Sequence, residues 1–193
     1  MKSIQLILGG CRSGKSRYAL NHANKQWKGK KYFIATCEAL DHEMQQRIDC
    51  HKKERGPDWQ TIECPIDIDQ AIAQCAHQQS GILLDCITLW ISNMMCKELT
   101  ETQIKNQIIS LTKTLSLIEC SINIVSNEVG LGIVPENLMA RQYRDIVGFA
   151  NQQIAAVANQ VILMVAGIPL SIKECSENNF PIIDIGRFEV NAL

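Results

Sequence analysis

The sequence predicts an α/β fold of the P-loop NTPase type, a doubly wound and mainly parallel sheet flanked by helices. Short β-branched runs recur along the chain with helix-like segments between them. The runs are nearly continuous in apolar residues, as expected for strands that are buried on both faces of a parallel sheet. In addition, the first run leads directly into a glycine-rich motif and a helix, which is the strand–loop–helix order of phosphate-binding loops.

The predicted elements follow from these patterns. The strands are Ile4–Leu8, Tyr32–Thr36, Gly81–Asp85, Ile122–Ser126 and Val161–Val165. Apolar residues at helical spacing predict a helix over Glu101–Glu119, and Pro135 with an acidic first turn predicts a second helix that continues to Asn159.

Composition limits the class of protein. The 193 residues are 46% hydrophobic, which predicts one domain over residues 1–193, with 174–193 as a less certain C-terminal extension. A net charge of −1 with scattered basic residues argues against nucleic-acid binding. The first residues lack the order of a signal peptide, and no apolar run spans a bilayer, so we expect a cytoplasmic protein without membrane insertion. The nine cysteines form no C-x-x-C pair and are expected to be reduced thiols.

The clearest motif is a P-loop, G-x-x-x-x-G-K-S. It consists of Gly9, Gly10, Cys11, Arg12, Ser13, Gly14, Lys15 and Ser16. Its backbone N–H groups and the following helix N-terminus are expected to hold phosphate oxygens. Lys15 should contact the β- and γ-phosphates, and Ser16 should bind Mg²⁺. Asp85, at the end of an apolar strand, is the candidate second Mg²⁺ ligand; an ordinary strand-end aspartate is the alternative.

A second candidate is His51, which lies in a helix-like segment from Asp41 to Glu54. Arg47, His51 and Arg55 are spaced four residues apart and would share one helix face. Nearby positive charge would keep the imidazole neutral, the form in which it can attack phosphorus. From the spacing alone, however, a solvated charged face that includes a histidine is the favoured interpretation.

The motifs together resemble one family. They are GGCRSGKSR (9–17), IAT (34–36), DHEMQQRIDCHKKERGPDW (41–59), LLDCITLW (83–90) and NEVGLGIVPENLMARQYRDIVGFANQQIA (127–155). In this order the chain resembles the bifunctional adenosylcobinamide kinase/adenosylcobinamide-phosphate guanylyltransferase family of cobalamin biosynthesis. The resemblance extends to about Lys173, and the block from Asn127 is its most specific part.

The resemblance implies two reactions. Adenosylcobinamide would be phosphorylated with ATP or GTP, and GMP would then be transferred from GTP to that phosphate through a covalent GMP-histidine, which maps to His51. The resemblance also implies a homotrimer. Further nucleotide contacts implied by matching motifs are Thr36, Lys52, Lys53, Glu54, Arg55, Glu63 and Asp85.

Several alternatives stay open at this point. Thr36 could cap a strand, Lys52 and Lys53 could be solvated, and Glu63 could be an exposed strand residue. The segment Asn127–Pro135 could shape the corrinoid side, form a subunit contact or be a structural turn. The rival functions are a P-loop small-molecule kinase and a GTP-binding regulatory module, both without guanylyl transfer.

Overall fold

The computed structural model describes residues 2–38 and 55–174, which form a mainly parallel sheet with helices on both faces. The strands are β1 (Ile4–Gly9), β2 (Lys31–Ala35), β3 (Trp59–Glu63), β4 (Gly81–Asp85), β5 (Ser121–Val125), β6 (Gln160–Val165) and β7 (Ile168–Lys173). Their order across the seven-stranded sheet is β3-β2-β4-β5-β1-β6-β7. Neighbouring strands pair in parallel, except that β7 runs antiparallel to β6.

The described helices divide unequally between the two faces of the sheet. They are α1 (Lys15–Gln26), α2 (Ile68–Cys75), α3 (Ile87–Cys96), α4 (Glu101–Leu117) and α5 (Leu138–Val157). α1 packs through Ala19 and Ala23 against a cluster that includes Ile7 and Leu83. The other helices pack against the opposite face, where alternate strand residues such as Leu6 are buried. Because both faces are covered, the central strands are apolar at nearly every position.

The predicted doubly wound α/β fold is confirmed, and so are its five predicted strands, with ends that shift by at most one residue. The helix predicted from Glu101 is also present as α4. It begins with a capping box in which Thr100 Oγ1 accepts from Gln103 N–H at 3.3 Å, while Gln103 Oε1 accepts from Thr100 N–H at 2.8 Å. This reciprocal pair satisfies backbone donors at the helix start.

The predicted start of the later helix was wrong by three residues. Pro135 and Glu136 precede α5, and Asn137 is its N-cap, because the Asn137 carboxamide accepts from Ala140 N–H at 3.1 Å. The carbonyls of Pro135 and Glu136 accept from the Arg141 guanidinium instead. The helix therefore begins after the side-chain cap at Asn137 and not at the proline.

Two strands were not predicted. β3 (sequence WQTIE) is short and half polar. β7 follows β6 through the dipeptide Ala166–Gly167, whose φ values of 51° and 82° form a tight hairpin turn. Such a two-residue turn is the local signal that separates the run Val161–Leu170 into two strands. In the part of the chain that the structure describes, no helix has the length and apolar character needed to cross a membrane.

A substitution at Gly81 tests the packing between the end of α1 and the sheet. A Cβ built at this position would lie 2.2 Å from ring carbons of Trp27. Gly81→Ala should therefore lower the free energy of unfolding by about 1–3 kcal/mol through overpacking. The matched control is Gly148→Ala within α5, where a Cβ meets nothing within 4 Å; it should raise that free energy by about 0.5–1 kcal/mol. Urea denaturation measures both, and equal stabilities for the two variants would contradict this packing.

Candidate nucleotide-binding site

The P-loop connects β1 to α1 in a conformation that two of its glycines permit. A Cβ on Gly9 would lie 2.5 Å from Met164 O and 2.7 Å from Ser13 Oγ, so no larger residue fits between the loop and β6. Gly14 has a φ of 94° and is the N-cap of α1. The carbonyl of Ser13 accepts from Gly167 N–H at 3.0 Å, which joins the loop to the β6–β7 turn.

Lys15 is the first residue of α1, and its side chain is buried. Its ammonium donates to Gly10 O at 2.6 Å and to Ser13 Oγ at 3.4 Å, so the charge lies inside the loop. Burial lowers the pKa of Lys15, and the nearby Asp85 carboxylate opposes this shift. A buried cation beside the N-terminus of a helix is suited to binding phosphate oxygens.

The strand register brings Asp85 to the same edge of the sheet. Asp85 pairs with Val125 of β5, and Val125 pairs with Ile7 of β1, two residues before the P-loop. On the other side, Asp85 pairs with Ala35, which in turn pairs with Glu63. Because side chains in one row of a parallel sheet point to the same face, Asp85 and Glu63 both project on the α1 face.

A cavity of about 260 Å³ lies on this face, next to the start of α1. It is lined by Ser16, Arg17, Leu20, Asn21, Phe33, Arg55 and Asp85. The Ser16 hydroxyl and the Asp85 carboxylate are oxygen donors of the kind that Mg²⁺ prefers. Mg²⁺ commonly takes only one or two protein ligands beside phosphates and water, so these two residues fit it. Among the described residues, including this site, no group of three or more His, Cys, Asp or Glu side chains could hold a metal ion.

Arg55 borders the cavity and is buried. Its guanidinium lies over the Phe33 ring, with Cζ 3.7 Å from the ring centroid. Burial lowers the pKa of Arg55, whereas the carboxylates of Asp85 and Glu63 raise it. The Phe33 ring positions the guanidinium and the two carboxylates favour its charged form, so a planar cation at the cavity can bind a phosphate.

Thr36 lies at the same edge but is fully buried, and its hydroxyl hydrogen-bonds with the backbone of Cys86. The loop residues Gly10, Cys11 and Arg12 are exposed, whereas Ser13 is buried. His51, Lys52, Lys53 and Glu54 lie outside the described residues. The structure thus brings together the P-loop, Arg55, Glu63 and Asp85, with Thr36 behind them.

The sequence did not single out two residues near the site. Phe33 supports Arg55, but nothing in the sequence links residues 22 positions apart. Asn93 of α3 donates to Thr36 O at 2.7 Å and to Pro65 O at 3.0 Å. A polar residue within the apolar helix sequence ITLWISNMMC was the available signal for Asn93.

The segment after β5 lies beside the P-loop. Glu128 N–H donates to Gly9 O at 3.0 Å. Further along, the Arg144 guanidinium donates to Gly130 O and to Ile133 O, both at 3.0 Å. These bonds attach the segment to α5 and leave aliphatic side chains such as Leu131 and Ile133 exposed.

The chain is similar to known proteins over most of its length. The family model described as cobinamide kinase / cobinamide phosphate guanyltransferase matches residues 5–172. The bifunctional adenosylcobalamin biosynthesis protein CobU of Escherichia coli is 37% identical over 180 residues, covering 87% of this chain and 98% of that protein. CobU of Salmonella typhimurium is 38% identical with the same coverage. CobP of Pseudomonas aeruginosa is 37% identical over 169 residues, covering 87% of this chain and 96% of that protein.

Among solved structures, a KaiC-like protein of Pyrococcus horikoshii is 14% identical, with a TM-score of 0.49 over 83% of this chain and 70% of that one.

Lys15→Met tests the P-loop. Burial makes the charged form of Lys15 less favourable in the folded protein than in the unfolded chain, so at pH 7 the charge opposes folding. The free energy of unfolding of the variant should therefore equal or exceed that of wild type. It should also lose most of the roughly 2.7 kcal/mol that GTP at about 100 times its Kd adds to wild type.

The matched control is Lys25→Met, at an exposed position of the same helix. Denaturation with and without GTP measures both variants. Full GTP stabilisation of Lys15→Met would show that the P-loop lysine does not bind the nucleotide.

Proposed function

Because the chain belongs to the cobinamide kinase/cobinamide phosphate guanyltransferase family, we propose that it phosphorylates adenosylcobinamide and then transfers GMP from GTP to the product. ATP or GTP is the phosphoryl donor, and the final product is adenosyl-GDP-cobinamide. The observation that carries the proposal is the joint position of the P-loop, Arg55 and Asp85 around one cavity at the end of the parallel strands. Ligands of open α/β sheets bind at this edge.

In the kinase step, the chain positions the phosphates and stabilises charge. The hydroxyl oxygen of the aminopropanol arm attacks the γ-phosphorus, the bond to the β–γ bridging oxygen breaks, and the hydroxyl proton passes to water or a base. The P-loop N–H groups and Lys15 bind the β- and γ-phosphate oxygens as negative charge moves to the leaving diphosphate. Lys15 is suited to this because its ammonium already lies within the loop.

We propose Mg²⁺ as the cofactor, held by Ser16 and Asp85, which line the same cavity. When bound, Mg²⁺ would neutralise charge on the phosphates. The Asp85 carboxylate is placed by the strand register and would orient the ion. The Ser16 hydroxyl follows Lys15 at the start of α1 and would bind from the P-loop side.

In the guanylyl-transfer step, His51 is the proposed nucleophile. A neutral ring nitrogen attacks the α-phosphorus of GTP, the bond from that phosphorus to the α–β bridging oxygen breaks, and pyrophosphate leaves. An oxygen of adenosylcobinamide phosphate then attacks the same phosphorus and releases the histidine. Arg55 supports this role, because it lines the cavity and stands four residues after His51, a length of chain that spans at most about 14 Å.

Other proposed contacts follow from the same geometry. The carboxylates of Asp85 and Glu63 attract the Arg55 guanidinium and would orient it towards a phosphate. Lys52, Lys53 and Glu54 are proposed as nucleotide contacts from their place between His51 and Arg55. Thr36 is proposed to act from behind the site, because its hydroxyl is bonded to the backbone of Cys86, the residue after Asp85.

We also propose that the chain acts as a cytoplasmic homotrimer. The exposed aliphatic residues support an oligomer, because large apolar patches on an ordered surface commonly mark protein contacts. They include Leu131, Ile133, Val134, Leu138 and Met139. The family match ends at residue 172, in line with a separate C-terminal extension beyond that point.

The mechanism predicts a labelled protein. Incubation with Mg²⁺ and GTP labelled at the α-phosphate should give acid-labile, alkali-stable label on wild type, because a phosphoramidate to histidine has that stability. His51→Ala should carry no label yet should still phosphorylate adenosylcobinamide, since the kinase step does not use the imidazole. His77→Ala, an exposed histidine in the loop between α2 and β4, is the matched control and should be labelled as wild type.

Label that persists on His51→Ala would place the nucleophile elsewhere. No label on wild type, with GTP binding intact, would leave a kinase or a GTP-binding module.

A further inference from the structure

Asp85 is the last residue of β4, and the turn that begins at Cys86 is hydrogen-bonded to Thr36, which follows the neighbouring strand β2. Thr36 Oγ1 donates to Cys86 O at 2.8 Å and accepts from Cys86 N–H at 2.7 Å. The backbone N–H of Thr36 donates to Asp85 O at 3.1 Å. One residue thus holds the two consecutive peptide groups that follow the Asp85 α-carbon.

The Thr36 hydroxyl has no proton left for a nucleotide. A hydroxyl has one hydrogen to donate, and here Cys86 O accepts it. Phosphate oxygens of a bound nucleotide only accept hydrogen bonds, so they cannot replace the Cys86 N–H that the hydroxyl also binds. Thr36 is moreover 0% exposed.

Thr36 is itself held in place from the helix side. Its carbonyl accepts from the Asn93 carboxamide of α3 at 2.7 Å, and the same carboxamide donates to Pro65 O at 3.0 Å. The ends of β2 and β4 are therefore joined through partly buried hydrogen bonds to α3 and to the segment after β3. Polar contacts that are shielded from water in this way rigidify the groups they join.

We propose that Thr36 is a positioning residue for the metal-binding site, which fixes the turn after β4 so that the Asp85 carboxylate faces Ser16 across the cavity. This inference rests on the proposed role of Asp85 as a Mg²⁺ ligand. Mg²⁺ demands near-ideal octahedral geometry, so a carboxylate on a loosened turn binds it less well. Residues that hold metal ligands in place typically change metal affinity by about 10–100-fold when they are removed.

Thr36→Val keeps the shape of the side chain and removes the hydroxyl. The Cys86 N–H then loses the acceptor at 2.7 Å, while Cys86 O keeps the Trp90 N–H as a donor at 3.2 Å. Thr36→Ser keeps the hydroxyl and should restore the turn. Thr112→Val is the matched control, because Thr112 is also a buried threonine but its hydroxyl donates within α4, to Ile109 O.

The experiment measures how tightly Mn²⁺, used as a probe for Mg²⁺, binds to the full chain in complex with a GTP analogue. In this analogue a methylene group joins the α- and β-phosphorus atoms. Free Mn²⁺ is counted by electron paramagnetic resonance, and affinity for the analogue is measured separately in EDTA by calorimetry. We expect Thr36→Val to raise the Mn²⁺ Kd about tenfold or more, with metal-free analogue affinity unchanged. Thr36→Ser and Thr112→Val should resemble wild type. Should Thr36→Val not fold, Thr36→Ala is measured in its place with the same expectation.

The variant Asp85→Asn distinguishes a failure of the positioning role of Thr36 from a failure of the proposed metal-ligand role of Asp85. If Asp85→Asn weakens Mn²⁺ binding but Thr36→Val does not, the positioning role is wrong and the proposed role of Asp85 stands. If Asp85→Asn leaves Mn²⁺ binding unchanged, the proposed metal ligand is wrong and the inference falls with it. If Thr36→Val weakens metal-free binding as strongly as metal binding, Thr36 contacts the nucleotide directly and the inference is overturned.

Discussion

The nucleotide site depends on the position of β5 between β1 and β4. β5 pairs in parallel with both, and Val125 is in register with Ile7 on one side and with Asp85 on the other. The loop after β1 and the turn after β4 therefore come from the same edge of the sheet, although residues 9 and 85 are far apart in the chain. The apolar clusters on the two faces hold this register, because a slip by one residue would move buried side chains to the wrong face. The geometry of the site is thus a consequence of core packing.

The two cations at this edge are buried, and the partly buried carboxylate of Asp85 balances them. Lys15 and Arg55 are cations that burial disfavours, and Asp85 opposes the pKa shift of both. Removing Asp85 would leave both buried cations without this compensation, which is the costly case for buried ions. The same property suits the proposed chemistry, because fixed charges in a partly dry site act strongly on phosphoryl groups without having to reorganise.

Part of the fold and part of the site could be predicted from the sequence, because the sequence patterns that indicate them are local. The P-loop, Asp85 and the five strands each have a signature within a few residues, and the structure confirms the strands. The contacts of Arg55 with Phe33 and of Thr36 with Cys86 could not be predicted, since they depend on which strands become neighbours. The start of α5 was predicted from Pro135, whereas the Asn137 cap determines it. The role of His51 stays a prediction, because that residue lies outside the described ranges.

A single site for two reactions is the central claim, and Asp85→Asn tests it most directly. Both activities would be measured on one preparation with saturating Mg²⁺: phosphorylation of adenosylcobinamide, and GMP transfer to adenosylcobinamide phosphate. If one P-loop and one Asp85 serve both steps, the two rates should fall by a similar factor, because each step needs the same ordered phosphates. A variant that loses one activity and keeps the other at the wild-type rate would show that the two reactions use different sites.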